Sequence, residues 1–137
     1  MSNEIEIVDQ LIRMQLLLDP NINSVVEDRI YTDHFMDYDI PTVKMPLIII
    51  ENRSGRANYA MCSQNIEIQI YTYSRISASQ SKSVYDLAYK SLNCVRLSHT
   101  GISMKGYMYE TERPFGLFND AMKCWAVRGI YRAVTVG

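Results

Sequence analysis

Apolar and polar residues alternate along this chain with two periods, about 3.6 near its start and 2 further on, and the switch between them orders the elements. Ile7, Leu11, Met14 and Leu18 recur at helical spacing with Val8 and Ile12 beside them, which gives a wide apolar stripe. Asn3 can cap this helix and Glu6 complete a capping box, while Asp19-Pro20 should stop it. Arg29-Ile30-Tyr31 reads as a short strand. Thr32 to Met45 is rich in Asp and holds Pro41, which predicts a loop or an irregular edge. Pro46-Leu47-Ile48-Ile49-Ile50-Glu51 is apolar on both faces and predicts a central strand.

From Asn52 to Ser63 the chain is polar, and Ser54-Gly55 marks a turn, so this stretch should link two strands. Gln64 to Tyr73 then alternates cleanly, with Ile66, Ile68 and Ile70 on one face and Glu67, Gln69 and Tyr71 on the other. Two strands so joined predict an extended hairpin arm. Ser77, with Gln80 three residues on, caps a second helix whose inner stripe is Val84, Leu87, Ala88, Ser91, Leu92 and Val95. Tyr85 and Tyr89 stand one turn apart beside that stripe, at the rim of a core or an interface. Gly101 closes this part. Two more strands follow, around Ile102 to Glu112 and Met122 to Val136; Arg113-Pro114-Phe115-Gly116 should begin their connection, and Gly129 a bulge or bend.

The expected fold is a single α+β domain over residues 1–137. Its sheet should be mostly antiparallel, of about four to five strands, with two helices on one face in the order helix-strand-strand-strand-helix-strand-strand. The opposite face would carry Tyr71, Tyr73, Tyr107 and Tyr109 among charges. Such a face suits a protein partner, because tyrosine is amphipathic and loses little entropy on ordering. Tyrosine is equally at home filling a pleated sheet.

Composition narrows the function more than the fold. The chain has 137 residues, 47% hydrophobic and 21% charged, enough for a core without staples. A net charge of -1 gives no general attraction to nucleic acid or to anionic membrane. Met1-Ser2-Asn3-Glu4 lacks the basic and apolar regions of a signal peptide, and Pro46 to Ile50 is too short to cross a bilayer. Cys62, Cys94 and Cys124 are odd in number, far apart and without a C-x-x-C pair, which fits free thiols in a cytosolic product.

Catalytic chemistry is sparse. Asp33, His34, Asp37 and Asp39 are the one cluster of metal-ligand types; with no glycine for the tight turn of a cation loop, they read as a solvated acidic segment. His99 lies at a predicted helix end, where it can meet terminal carbonyls. Cys94 is near it in sequence but falls within the predicted helix, not at the N-terminus that favours a thiolate. Phosphate loops, G-x-S-x-G and H-E-x-x-H are absent, and Arg53 and Arg56 without flanking aromatics make a weak nucleic-acid signal. No catalytic residue, metal or cofactor is expected; the chain reads as one that assembles.

Several landmarks together resemble the tail-terminator, or tail-completion, proteins of long-tailed bacteriophages. They are the opening helix, Arg29-Ile30-Tyr31, Pro41 ahead of Pro46 to Glu51, the alternating strand Gln64 to Tyr73, the helix at Val84-Tyr85-Asp86-Leu87, and Trp125-Ala126-Val127-Arg128-Gly129-Ile130-Tyr131. The likeness spans nearly the whole chain but rests on structural motifs, and the stretch between Tyr31 and Pro46 is longer than in that family. It implies a ring, usually a hexamer, at the head-proximal end of the tail tube. The ring stops tube growth, meets the head connector or head-completion protein, and lets DNA pass through its lumen as cargo. The protein would reside in the virion, after assembly in the host cytoplasm. Another neck component, such as a head-completion or tube-adaptor protein, is the alternative within that class. A small enzyme or binding module is the alternative outside it. A closed ring needs two complementary patches per subunit. The acidic segment Glu27 to Asp39, with Asp33, Asp37 and Asp39, and the stretch Arg53, Arg56 and Tyr59 could supply them, with Tyr107 and Tyr109 as further contacts.

Overall fold

The computed structural model describes residues 4–32, 43–58, 63–95, 98–99, 102–103, 108–120 and 123–136. The opening stripe forms α1 (Glu4–Leu18) and buries Leu11, Ile12 and Leu16. Asp19-Pro20 does not simply end it. Asp19 is extended, and its carboxylate accepts from the backbone N–H groups of Asn21 and Ile22, while Pro20 occupies a first-turn position where no N–H is needed. The pair that stops α1 therefore starts α2 (Pro20–Val26), a helix the apolar periodicity did not foretell because it is only seven residues long.

The strand at Ile30–Tyr31, β1, runs parallel to β2 (Leu47–Asn58). The buried Arg29 pins their junction by donating to the carbonyls of Pro46 at 3.0 Å and Val25 at 3.2 Å. Residues 33–42, with His34, lie outside the described residues. The hairpin arm is present and longer than its linker suggested. β2 continues to Asn58 and pairs antiparallel with β3 (Ser63–Ser74), setting Arg53 against Glu67 and Arg56 against Asn65. Ser54-Gly55 therefore sits in a register shift inside the strand and is not the turn. Polarity misled here because a ladder satisfies backbone groups whatever the side chains are.

Ser77 caps α3 (Ala78–Leu92) as expected, its hydroxyl accepting from Gln80 N–H at 3.0 Å. The helix ends earlier than its stripe suggested. Asn93 is the C-cap, Cys94 has φ 59° and is exposed, and Val95 bridges to Met108. Cys94 is thus outside the helix, and His99 belongs to a small hairpin of β4 (Ser98–His99) and β5 (Ile102–Ser103), not to a helix end.

β6 (Met108–Asn119) and β7 (Cys124–Val136) complete the main sheet, in the order β1-β2-β3-β7-β6. Arg113-Pro114-Phe115-Gly116 is part of β6 and not the start of a connection. Two register shifts, at Glu110/Glu112 and Glu112/Phe115, accommodate Pro114 on this edge strand, where a missing N–H is tolerated.

The fold is α+β with a mostly antiparallel five-stranded sheet, as expected, but the described residues hold three helices and a separate β-hairpin. Helices α1 and α3 cover one face through a core that includes Leu11, Ile48, Ile50, Ile70, Val84 and Tyr131. β2 lies inside the sheet only where the two-residue β1 covers Ile48 and Ile49, and there Leu47, Ile48, Ile49 and Ile50 are completely buried, alternating between both faces. On the second face Leu47, Ile49, Tyr73, Cys124 and Ala126 form a smaller cluster, against which Val43, Met45 and Tyr71 pack.

Candidate assembly surface

Of the residues singled out for contact, Asp33, Asp37, Asp39, Tyr59 and Tyr107 lie outside the described residues. Arg53 and Arg56 stand on β2 at the positions opposite Glu67 and Asn65. Tyr109 is 37% exposed on β6, opposite Arg132 of β7. The structure therefore separates Arg53 and Tyr109 by the whole sheet: the row through them reads Arg53, Glu67, Arg132, Tyr109. Glu27 at the head of the acidic segment faces Arg29 at 3.4 Å and Lys44 at 3.9 Å within its own chain.

The tyrosines of the second face do different jobs. Tyr71 and Tyr73 stack with centroids 6.0 Å apart, and Tyr73 is buried, so it fills the sheet and presents no surface. Burial pushes both hydroxyls above the usual tyrosine range, and for Tyr71 the nearby Glu51 adds to the rise while Arg128 opposes it. In the same row as Tyr71, Arg128 on the next strand lies over the Phe115 ring at 4.5 Å, and its Nε is buried with no hydrogen-bond partner among the described residues. The aromatic face takes part of the place of the missing acceptor.

Tyr85, expected at a rim, is instead in the core. Its hydroxyl donates to the Glu110 carboxylate and lies 3.0 Å from the Tyr131 hydroxyl. Burial first, then these hydrogen bonds, raises its ionisation far above the usual range; Tyr131 is raised too, chiefly by burial. Glu110 is fixed from its backbone side, since its N–H donates to Asn93 Oδ1 at 2.9 Å. Asn93 thus joins the end of α3 to β6, a tie that sequence spacing could not reveal.

Leu18 and Ile76 are exposed singly, and the largest run of exposed apolar side chains on one element is in the C-terminal half of β6. Phe115 is 47%, Leu117 41% and Phe118 44% exposed, and Phe118 meets Trp125 edge-on at 5.0 Å. Between this strand and the first turns of α3 lies a cleft of about 310 Å³ walled by Ala78, Ser81, Lys82, Gly116, Phe118 and Trp125. A second recess of about 240 Å³ continues it past Lys82, Asp86 and Pro114. Sequence reading passed over this surface because Arg113-Pro114-Phe115-Gly116 looked like a connection. Among the described residues no group of three or more His, Cys, Asp or Glu could hold a metal, and no helix is long and apolar enough to cross a membrane. What the arrangement offers chemically is apolar area, aromatic rings and an open strand edge, which are means of holding another chain.

No protein-family model matches the chain, and no curated protein matches it. Among solved structures it is similar to a chain in the virion of the native gene transfer agent (GTA) particle, with a TM-score of 0.68 over 95% of each chain at 11% identity. That likeness shows the fold, end to end.

Proposed function

We propose that this chain is a virion structural protein of a long-tailed phage or phage-like particle. In this reading it forms a ring, as a hexamer, at the head-proximal end of the tail tube, ends tube polymerisation and joins the tail to the head connector. The observation that carries the reading is the fold shared over 95% of both chains with a component of a phage-like virion. The exposed aromatic edge suits assembly with another chain. The likeness is to a virion component and does not distinguish one level of the neck from another. A head-completion or tube-adaptor protein is therefore the second reading, favoured equally by the fold.

Purified protein mixed with polymerising tail-tube protein separates the two. A terminator gives tubes of limited length with a ring on one end. A head-completion or adaptor protein leaves tube growth unchanged and binds the connector instead.

A further inference from the structure

The main sheet has two open edges of matching extent. On one side β1 covers only Ile48 and Ile49 of β2, so the outer edge of β2 from Ile50 to Asn58 has no strand beside it among the described residues. On the other side β6 is engaged only at its start. Met108 exchanges hydrogen bonds with Cys94 and Val95, and Glu110 N–H is taken by Asn93. From Glu112 to Phe118 no strand lies on its outer side among the described residues; here Leu117 and Phe118 are exposed beside the cleft against α3, while Phe115 is exposed next to Arg128. The regular part of this edge, from Phe115 to Phe118 beyond Pro114 and the two register shifts, lies next to a helix and apolar pockets and is a site for strand addition.

We propose that the occupant is a second copy of this chain: the open edge of β2 in one subunit pairs with the open edge of β6 in the next. This deepens the ring reading and rests on it.

Three features of the sheet support the match. β2, β3, β7 and β6 alternate in direction, so β2 and β6 run opposite ways. A neighbour's β2 laid beside β6 therefore continues the antiparallel alternation without inverting the subunit. The two edges are also different surfaces on opposite sides of one molecule, which makes the contact heterologous, as a closed ring demands. Finally, the offset is that of a tilted barrel. Glu51, Gln69, Ile130 and Glu112 share one row, so the open stretch of β6 runs down from the level at which the open stretch of β2 runs up. Bringing them together displaces each copy by roughly five rows, about 17 Å, across four strands spanning about 19 Å. That corresponds to a strand tilt of roughly 40°, within the range of closed barrels. Arg53 and Arg56 fall on the pairing stretch of β2, so their role is redirected from the acidic segment of a neighbour to its β6 edge.

Hydrogen exchange read by mass spectrometry tests the pairing, comparing assembled wild-type rings with dissociated subunits. Peptides covering 50–58 and 112–119 are both expected to exchange at least tenfold more slowly in the ring. A Leu117→Asp/Phe118→Asp variant, checked for intact fold by its near-ultraviolet circular dichroism, is expected to remain a single subunit by mass photometry. Rings in which neither peptide, or only one, gains protection overturn the pairing and leave the ring reading standing. Wild-type protein that never forms rings overturns both. Should the variant fail to fold, the exchange comparison on wild-type protein decides alone.

Discussion

A side chain on Gly129 would run into Tyr85: its Cβ would stand 1.8 Å from the Tyr85 hydroxyl oxygen and 2.4 Å from Cζ. Gly129 pairs in regular register with Ile70 on the β3 side, and on the β6 side it lies opposite the register shift between Glu112 and Phe115, the irregularity expected there. The glycine is a notch in β7 that lets a helix tyrosine reach Glu110 and Tyr131. Gly129→Ala should lower stability by about 1–3 kcal/mol through overpacking. In a Tyr85→Ala background the added methyl meets open space, and its cost should nearly vanish. Denaturant melts of the two single variants and the double variant measure this; additive losses would sink the notch account.

The same tyrosines predict alkaline sensitivity. Folded Tyr85 and Tyr131 hold their protons well above the usual value of 10.0, at which unfolded tyrosine releases them. Above that pH the unfolded chain binds fewer protons, so stability falls as pH rises, by about 1.4 kcal/mol per pH unit for each proton of difference. Between pH 7 and 9 these groups leave stability unchanged. Melting temperatures taken from pH 8 to 12 should bend downward near 10, and Tyr131→Phe should make the fall shallower.

Asp19 is expected to matter more than an exposed turn residue normally would. Its carboxylate meets two N–H groups of α2, which carries the buried Ile22 and Val26 into the core. Asp19→Ala should cost about 0.5–2 kcal/mol, and Asp19→Asn much less. Equal losses from both substitutions, in chemical denaturation, would show that the cap is not the cause.

The cysteines separate by access. Cys94 is exposed past the end of α3, whereas Cys124 is buried in the second-face cluster and its thiol is pushed up by that burial. In a Cys62→Ser background a thiol reagent should label Cys94 promptly and Cys124 only on unfolding. Rapid double labelling of the native protein would contradict the packing of Cys124 against Leu47 and Tyr73.

How much of this was legible depended on whether a signal was local. The alternation of Ile66, Ile68 and Ile70 and the Ser77 cap are local, and both appear where expected. Asp19-Pro20 is local too, but the same two residues stop one helix and open another, and a seven-residue helix is too short to show periodicity. Arg113-Pro114 reads as a break unless the strand is known to be an edge, and edges are set by sheet order. Gly129 and Asn93 serve partners 44 and 17 residues away, Tyr85 and Glu110, so no window along the chain could expose them. The exposed apolar surface was the least legible. The tyrosines chosen from alternation include the buried Tyr73, while Phe115, Leu117 and Phe118 were assigned to a connection.

The most direct test of assembly at a tube end is negative-stain imaging of the purified protein, alone and with growing tail tubes. The account predicts rings with an open lumen that sit on one end of each tube and halt its elongation. Tubes that lengthen unhindered, with the protein remaining a single subunit at every concentration, would contradict it.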